Sequence, residues 1–181
     1  MQETLRTDRL ILRPFRATDA GAVTEYCGDW DVARMTARLP HPYPPRMAAE
    51  WIAGQETDTV EQRFCVEADG APVGAVGLSD LGDGAFEIGY WIGRPFWGRG
   101  YATEAALRVV RYAFEERGAR RLTAAHFLDN PASARVLEKC GFAATGETVE
   151  QACVARGGPQ PSRRLAFDRP AVLPIEGAPA S

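Results

Sequence analysis

The stretch GYWIGRPFWGRGYATEA, residues 89–105, ends one kind of chain and begins another. It overlaps AFEIGYWI (85–92), which is short, branched and aromatic and reads as a β-strand. After it, Ala102, Ala105, Ala106, Val109, Val110, Ala113 and Phe114 recur at helical spacing. Gly118 then supplies a stop, so the spacing predicts a helix from about Tyr101 to Arg117. RLTAAHF (121–127) is strand-like again. Strand, glycine-rich loop, helix and strand make a βαβ unit, whose two strands run parallel.

Upstream, FCVEA (64–68) and PVGAVGLS (72–79) flank Asp69-Gly70, a strong hairpin signal. LGDG (81–84) turns the chain again into 85–92, which predicts an antiparallel meander ahead of the βαβ unit. The sheet is therefore expected to be mixed. RLILR (9–13) reads as a first strand, and ATDAGAVTEYCG as a short helix capped by Thr18 or Asp19. Residues 40–45 are proline-rich and cannot pair in a sheet; a helix is expected from about Pro45, with Met47, Trp51 and Ile52 on one side.

Downstream, DNPASARVLEKCGF (129–142) carries helix punctuation: Asn130 as N-cap, Pro131 in the first position and Gly141 past the end. Residues 142–149 and about 163–169 suit a final hairpin, and 170–181 lacks periodicity and reads as a loose tail. With no repeat and no linker, residues 1–169 form one expected α/β domain with a mixed sheet.

Composition narrows the function classes. The chain has 181 residues, 45% of them hydrophobic and 25% charged, with a net charge of −3. A weakly acidic chain lacks the basic footprint of nucleic-acid binding. Its four cysteines, Cys27, Cys65, Cys140 and Cys153, share no metal-ligand spacing, so neither zinc nor a disulfide framework is expected, and Cys65 and Cys140 read as core residues. No charged segment and apolar run open the chain, and no apolar stretch is long enough to span a bilayer. These features suit a reducing cytoplasm.

The loop itself is the strongest chemical signal. A helix N-terminus offers unpaired amides and the positive end of a dipole. Glycines let an anion approach that backbone, and a basic side chain adds charge. Trp97-Gly98-Arg99-Gly100 before a helix supplies each part, which points to a phosphate-bearing ligand. A P-loop is excluded because no lysine followed by Ser or Thr is present. A dinucleotide fingerprint fails because Thr103 stands where the third glycine belongs. The same glycines would also serve a plain tight turn, so the residues alone leave both readings open.

Residues 97–102, WGRGYA, resemble the Gln/Arg-x-x-Gly-x-Gly/Ala motif of the GNAT superfamily of N-acetyltransferases, with Trp97 departing at the first position. RTDRLILRPFRATDA (6–20), WGRGYATEA and NPASARVLEKCGF (130–142) look like the branch containing the ribosomal-protein acetyltransferases RimJ and RimL. The resemblance spans roughly residues 5–169 and implies a mostly antiparallel mixed sheet of about seven strands flanked by helices, splayed at the cofactor site. It implies acetyl-coenzyme A as cosubstrate. Its diphosphate would sit on the amides of Gly98, Arg99, Gly100, Tyr101, Ala102 and Thr103. Its pantetheine arm would bond along Trp91 and Ile92 as an added strand does, with Asn130 touching the arm and Ser133 near the sulfur.

The implied reaction is attack of a neutral amine on the thioester. Glu87 is the candidate base: its period-2 companions are Ala85, Gly89 and Trp91, and Gly89 leaves space beside it. A solvent-facing strand glutamate is the alternative. An amide near Ile92 would hold the oxyanion. Ser133 is the candidate donor to the leaving thiolate, against simple helix capping; Tyr90 and Tyr101 are alternatives. His126, at a strand end, and His41, in the proline-rich loop, read first as ordinary histidines. The acceptor is a peptide N-terminus or a small amine; no acidic run suited to a polyamine stands out. A non-catalytic acyl-coenzyme A sensor is the competing reading. Aromatic edges leave room for a homodimer.

Overall fold

The computed structural model describes residues 3–55 and 58–169. The expected tail at 170–181 lies outside the described residues. Among the described residues eight strands form one sheet in the order β1-β2-β3-β4-β5-β6-β8-β7. They are β1 (Leu5–Arg6), β2 (Leu10–Arg13), β3 (Glu61–Ala68), β4 (Ala71–Gly82), β5 (Ala85–Ile92), β6 (Arg121–Phe127), β7 (Ala143–Cys153) and β8 (Gly158–Asp168). Every neighbouring pair is antiparallel except β5 and β6. The mixed α/β class and the meander stand as expected, with one strand more than the sequence suggested. The extra strand, β1, is two residues long, too short to show a period.

The β5–β6 pairing decides where a site can lie. It runs only from Ala85 opposite Arg121 to Glu87 opposite Thr123. Beyond Glu87, β5 stays on β4 and β6 stays on β8, so the middle of the sheet opens into a V.

Among the described residues five helices flank the sheet: α1 (Ala20–Gly28), α2 (Trp30–Ala33), α3 (Pro45–Gly54), α4 (Tyr101–Glu115) and α5 (Pro131–Lys139). On one face, α4 buries Val109, Val110 and Phe114 completely against Leu12, Phe64, Val76, Ile88 and Leu122. Each such side chain is worth about 1.5–3 kcal/mol of transfer free energy. On the other face, α1 and α3 enclose a smaller core of Val23, Cys27, Tyr43, Ala48 and Ile52. Strand alternation therefore divides β5: Phe86, Ile88 and Ile92 belong to the α4 face, and Trp91 packs against the α1–α3 core.

Helix punctuation behaves as read in the sequence, with one exception. Asn130 Oδ1 accepts the Ser133 amide at 3.0 Å, Pro131 opens α5, and Gly141 leaves the helix at φ +94°. The exception is Asp19, which caps no amide of α1. A 3₁₀ turn (Ala17–Asp19) precedes the helix, and the carboxylate reaches back to the Arg16 amide at 2.8 Å. It also accepts two bonds from Arg13, at 2.7 and 3.0 Å, because both residues are 4% exposed and a buried cation needs its partner. The last hairpin is longer than expected, since a bulge between Ala144 and Thr148 breaks its alternation. All four cysteines are buried free thiols, and burial pushes those of Cys27, Cys65 and Cys140 up to about 12.

Candidate active site

The glycine loop leads from the end of β5 to α4. Gly98 and Gly100 adopt φ of +76° and +80°, the left-handed region where a side chain is strained. Gly100 is the N-cap of α4 and has no side chain with which to cap it. From Gly98 to Thr103, six consecutive amides have no hydrogen-bond partner among the described residues. The loop is thus not closed on itself, and its N–H groups stand at the positive end of a 15-residue helix. The Arg99 guanidinium lies over the Phe96 ring at 5.6 Å.

Contacts at its two ends hold the loop in this open form, and none was visible in the sequence. Trp97 Nε1 donates to the Ile92 carbonyl at 2.7 Å, tying the loop entrance to the strand end. At the exit, the β1–β2 turn folds over the first turn of α4. Thr7 Oγ1 donates to Glu104 at 2.5 Å, and the Arg9 amide and Nε donate to it at 3.0 and 2.7 Å. Arg9 Nη1 also donates to the Arg99 carbonyl at 3.0 Å, and its guanidinium covers the Tyr101 ring. Burial opposes ionisation of Glu104, but the bonds from Thr7 and Arg9 outweigh it and hold the carboxyl below its usual range. The acid nearest the loop is therefore charged and neutralised by Arg9.

The V exposes backbone as well as side chains. The Gly93 amide donates to the Val73 carbonyl at 2.8 Å, so by ladder alternation the Trp91 backbone faces β4 and the Ile92 and Tyr90 amides face the opening. Of the two strand-end residues singled out in the sequence, Ile92 offers an amide to the opening and Trp91 offers its ring to the α1–α3 face.

A cavity of about 380 Å³ runs through the V. It brings together Glu87, Gly89, Tyr90, Trp91, His126, Asn130 and Ser133 from β5, β6 and α5. Glu87 is half-buried, and its carboxylate makes no hydrogen bond or ion pair among the described residues. A side-chain atom added at Gly89 would meet nothing within 4 Å, so space stands beside the carboxylate. Tyr90, from the α4 face, reaches α5: its hydroxyl is 2.9 Å from Ser133 Oγ and 3.3 Å from the Ser133 carbonyl. Burial pushes the Tyr90 phenol well above its ordinary value, and the Ser133 bond offsets this only in part. His126 Nδ1 donates to the Phe127 carbonyl at 2.9 Å, since a carbonyl can only accept. His41 is outside this cavity, its ring edge-on to Trp30 at 5.2 Å. A wider depression of about 1120 Å³, beside α3 and β3, contains none of these groups.

The Acetyltransferase (GNAT) domain family matches residues 9–143. An uncharacterized N-acetyltransferase, p20, of Bacillus licheniformis is 30% identical over 151 residues, covering 80% of this chain and 84% of its own. The fold superposes with a TM-score of 0.80 on RimL, a ribosomal L7/L12 α-N-protein acetyltransferase solved with coenzyme A, at 16% identity over 92% of this chain and 98% of that one. It superposes at 0.77 on spermidine N-acetyltransferase from Vibrio cholerae, solved with coenzyme A and spermine, at 22% identity over 90% and 96% of the two chains. The extent of the family match, together with a relative of this similarity, establishes that the chain belongs to the GNAT acetyltransferases, enzymes whose acyl donor is acetyl-coenzyme A.

Proposed function

We propose that this enzyme is an N-acetyltransferase that acetylates a primary amine, a protein N-terminus or a small molecule, by direct attack within one domain spanning residues 1–169. The six unpaired amides leading into and opening α4, beside a sheet parted at Glu87, carry this reading. A RimJ/RimL-like placement is supported by the RimL superposition, and an N-terminal or free amine acceptor by the activities of RimL and the spermidine enzyme. A cytoplasmic setting fits, since among the described residues no helix is long and apolar enough to cross a membrane.

The bound cosubstrate supplies an activated thioester; the chain supplies position and proton handling. Amides of residues 98–103 hold the diphosphate, with the Arg99 guanidinium adding charge. Asn130 uses Oδ1 to cap α5, which leaves its NH2 to hold the pantetheine arm. The Ile92 amide faces the opening and serves as donor to the carbonyl oxygen. Glu87 takes a proton from the amine through a water. An α-amino group, with a pKa near ~8, asks less of that base than a lysine near ~10.4. The N–C bond forms, the C–S bond breaks, and Ser133 donates toward the sulfur, whose thiol pKa of ~8.5 makes it an undemanding leaving group.

Thiol release from acetyl-coenzyme A, measured with a panel of amines and peptides alongside calorimetric cofactor binding, tests this. Turnover is expected with at least one acceptor; tight binding with no turnover would favour the acyl-coenzyme A sensor. Gly100→Asp places a side chain and a negative charge at φ +80° in the cradle and is expected to abolish cofactor binding. Unchanged affinity would remove the loop from the site.

A further inference from the structure

The acceptor side of the V is built from apolar edges. Met35, Leu39, Tyr43, Met47, Trp51 and Trp91 line it. Leu39, Met47, Trp51 and Trp91 are only partly buried against the α1–α3 core, so each keeps apolar surface toward the cavity.

Its charges are nearly all committed. Arg38, Glu61, Arg63 and Glu87 reach the cavity, and His126 also lines it. Glu61 sits between Arg38 and Arg63 in two ion pairs. Arg63 also pairs with Asp58 at 2.9 Å and lies over the Trp51 ring. Glu87 alone of the two lining carboxylates has no ion pair among the described residues.

One available carboxylate can match one ammonium. A polyamine would carry its further ammonium groups against Met47 and Trp51 with no counter-charge, which apolar surroundings penalise. The volume of about 380 Å³ is at the small end of small-molecule sites, which run from about 300 to 1,000 Å³, and the pantetheine end takes its Asn130–Ser133 side.

We propose that the acceptor is a small monoamine whose carbon skeleton carries an aromatic or branched apolar group. That group seats among Met47, Trp51 and Trp91, with the amine directed to Glu87. This rests on the acetyltransferase reading above. The transfer forms one amide bond and breaks the thioester C–S bond. One amine proton leaves through Glu87 and one proton ends on the sulfur, so no third reactant is needed.

The test compares 2-phenylethylamine, spermidine and two short peptides beginning with serine or phenylalanine as acceptors for the intact enzyme. The expected kcat/KM for 2-phenylethylamine exceeds each of the others by about tenfold or more, the scale on which a filled apolar pocket discriminates. Trp51→Ala should raise KM for this amine about tenfold and leave acetyl-coenzyme A affinity unchanged. Should Trp51→Ala fail to fold, Gly89→Val fills space that is open beside Glu87 and should shift the preference toward methylamine. Preference for spermidine or a peptide, or variants that leave the ranking unchanged, would overturn the pocket assignment while keeping the transferase. Equilibrium binding of the same amines to the coenzyme A-saturated enzyme separates the two ideas. Selective binding of 2-phenylethylamine without turnover of any amine would overturn the transferase reading and keep the pocket; neither binding nor turnover would overturn both.

Discussion

The Tyr90 hydroxyl lies 2.9 Å from Ser133 Oγ, linking the unpaired edge of β5 to the first turn of α5. Because burial pushes the phenol up, Tyr90 stays protonated through neutral and moderately alkaline pH. It can therefore donate to Ser133, which under the proposed mechanism frees the Ser133 proton for the sulfur. On that proposal Tyr90 acts through Ser133 and is a positioning residue. Tyr90→Phe is expected to lower kcat about fivefold, the worth of one hydrogen bond, with KM for acetyl-coenzyme A unchanged. The double variant with Ser133→Ala should be no slower than Ser133→Ala alone. Additive losses, or an alkaline limb below pH 10 that Tyr90→Phe removes, would contradict this arrangement.

Arg9 and Glu104 set the shape of the glycine loop, the proposed diphosphate cradle, from outside it. Arg9→Ala is expected to raise KM for acetyl-coenzyme A about fivefold with little change in kcat, since the pair is half-exposed and its charge-assisted bonds are partly screened. Arg9→Lys keeps the charge but loses the fork that reaches both Glu104 and the Arg99 carbonyl, so it should rescue only in part. Calorimetric titration of the three proteins with coenzyme A reads the effect directly; equal affinities would show that the loop holds its form without the latch.

Glu87→Gln keeps the shape of the side chain and removes the proposed base. At neutral pH kcat should fall about a hundredfold, within the usual range for a general base, with cofactor affinity unchanged. The deficit should shrink as pH rises toward the amine's own pKa, because the free amine then needs no base. An unchanged neutral rate would leave Glu87 a solvated strand residue.

Asp19 is a test of stability. Its carboxyl is buried, which opposes ionisation, yet Arg13 and the Arg16 amide hold it below its ordinary value. A depressed folded-state value gives stability that is present above the unfolded value near ~3.9 and is lost as pH falls through the folded one. Asp19→Asn leaves Arg13 with only Glu67, at 2.6 Å, as a charged partner. It should cost about 3 kcal/mol at pH 7, typical of breaking a buried pair. Denaturant melts at pH 7 and in acid below the folded value should show the difference between wild type and variant shrinking with acidification. A gap independent of pH would contradict the pairing.

The path from Ala85 to Phe127 and the punctuation of α5 follow from the chain read alone. Their causes are local: glycines that accept φ above zero, a proline at a first helical position, an Asn reaching an amide three residues on, apolar residues at helical spacing. The same locality made the loop amides, Glu87, Asn130 and Ser133 candidates, and the structure gathers Glu87, Asn130 and Ser133 at one cavity. Three-dimensional packing decided the rest. Asp19 turned from a cap into the partner of Arg13 because both were buried together. Thr7 and Arg9 met Glu104 across a separation of 95 residues or more. Tyr90 found Ser133, and Trp97 took the Ile92 carbonyl. The V itself arises where β5 and β6 each keep a different neighbour after three paired residues. Backbone preferences act over a few residues and are written in order along the chain; which charges and hydroxyls meet depends on how two layers close on one sheet, and no short window of sequence contains that.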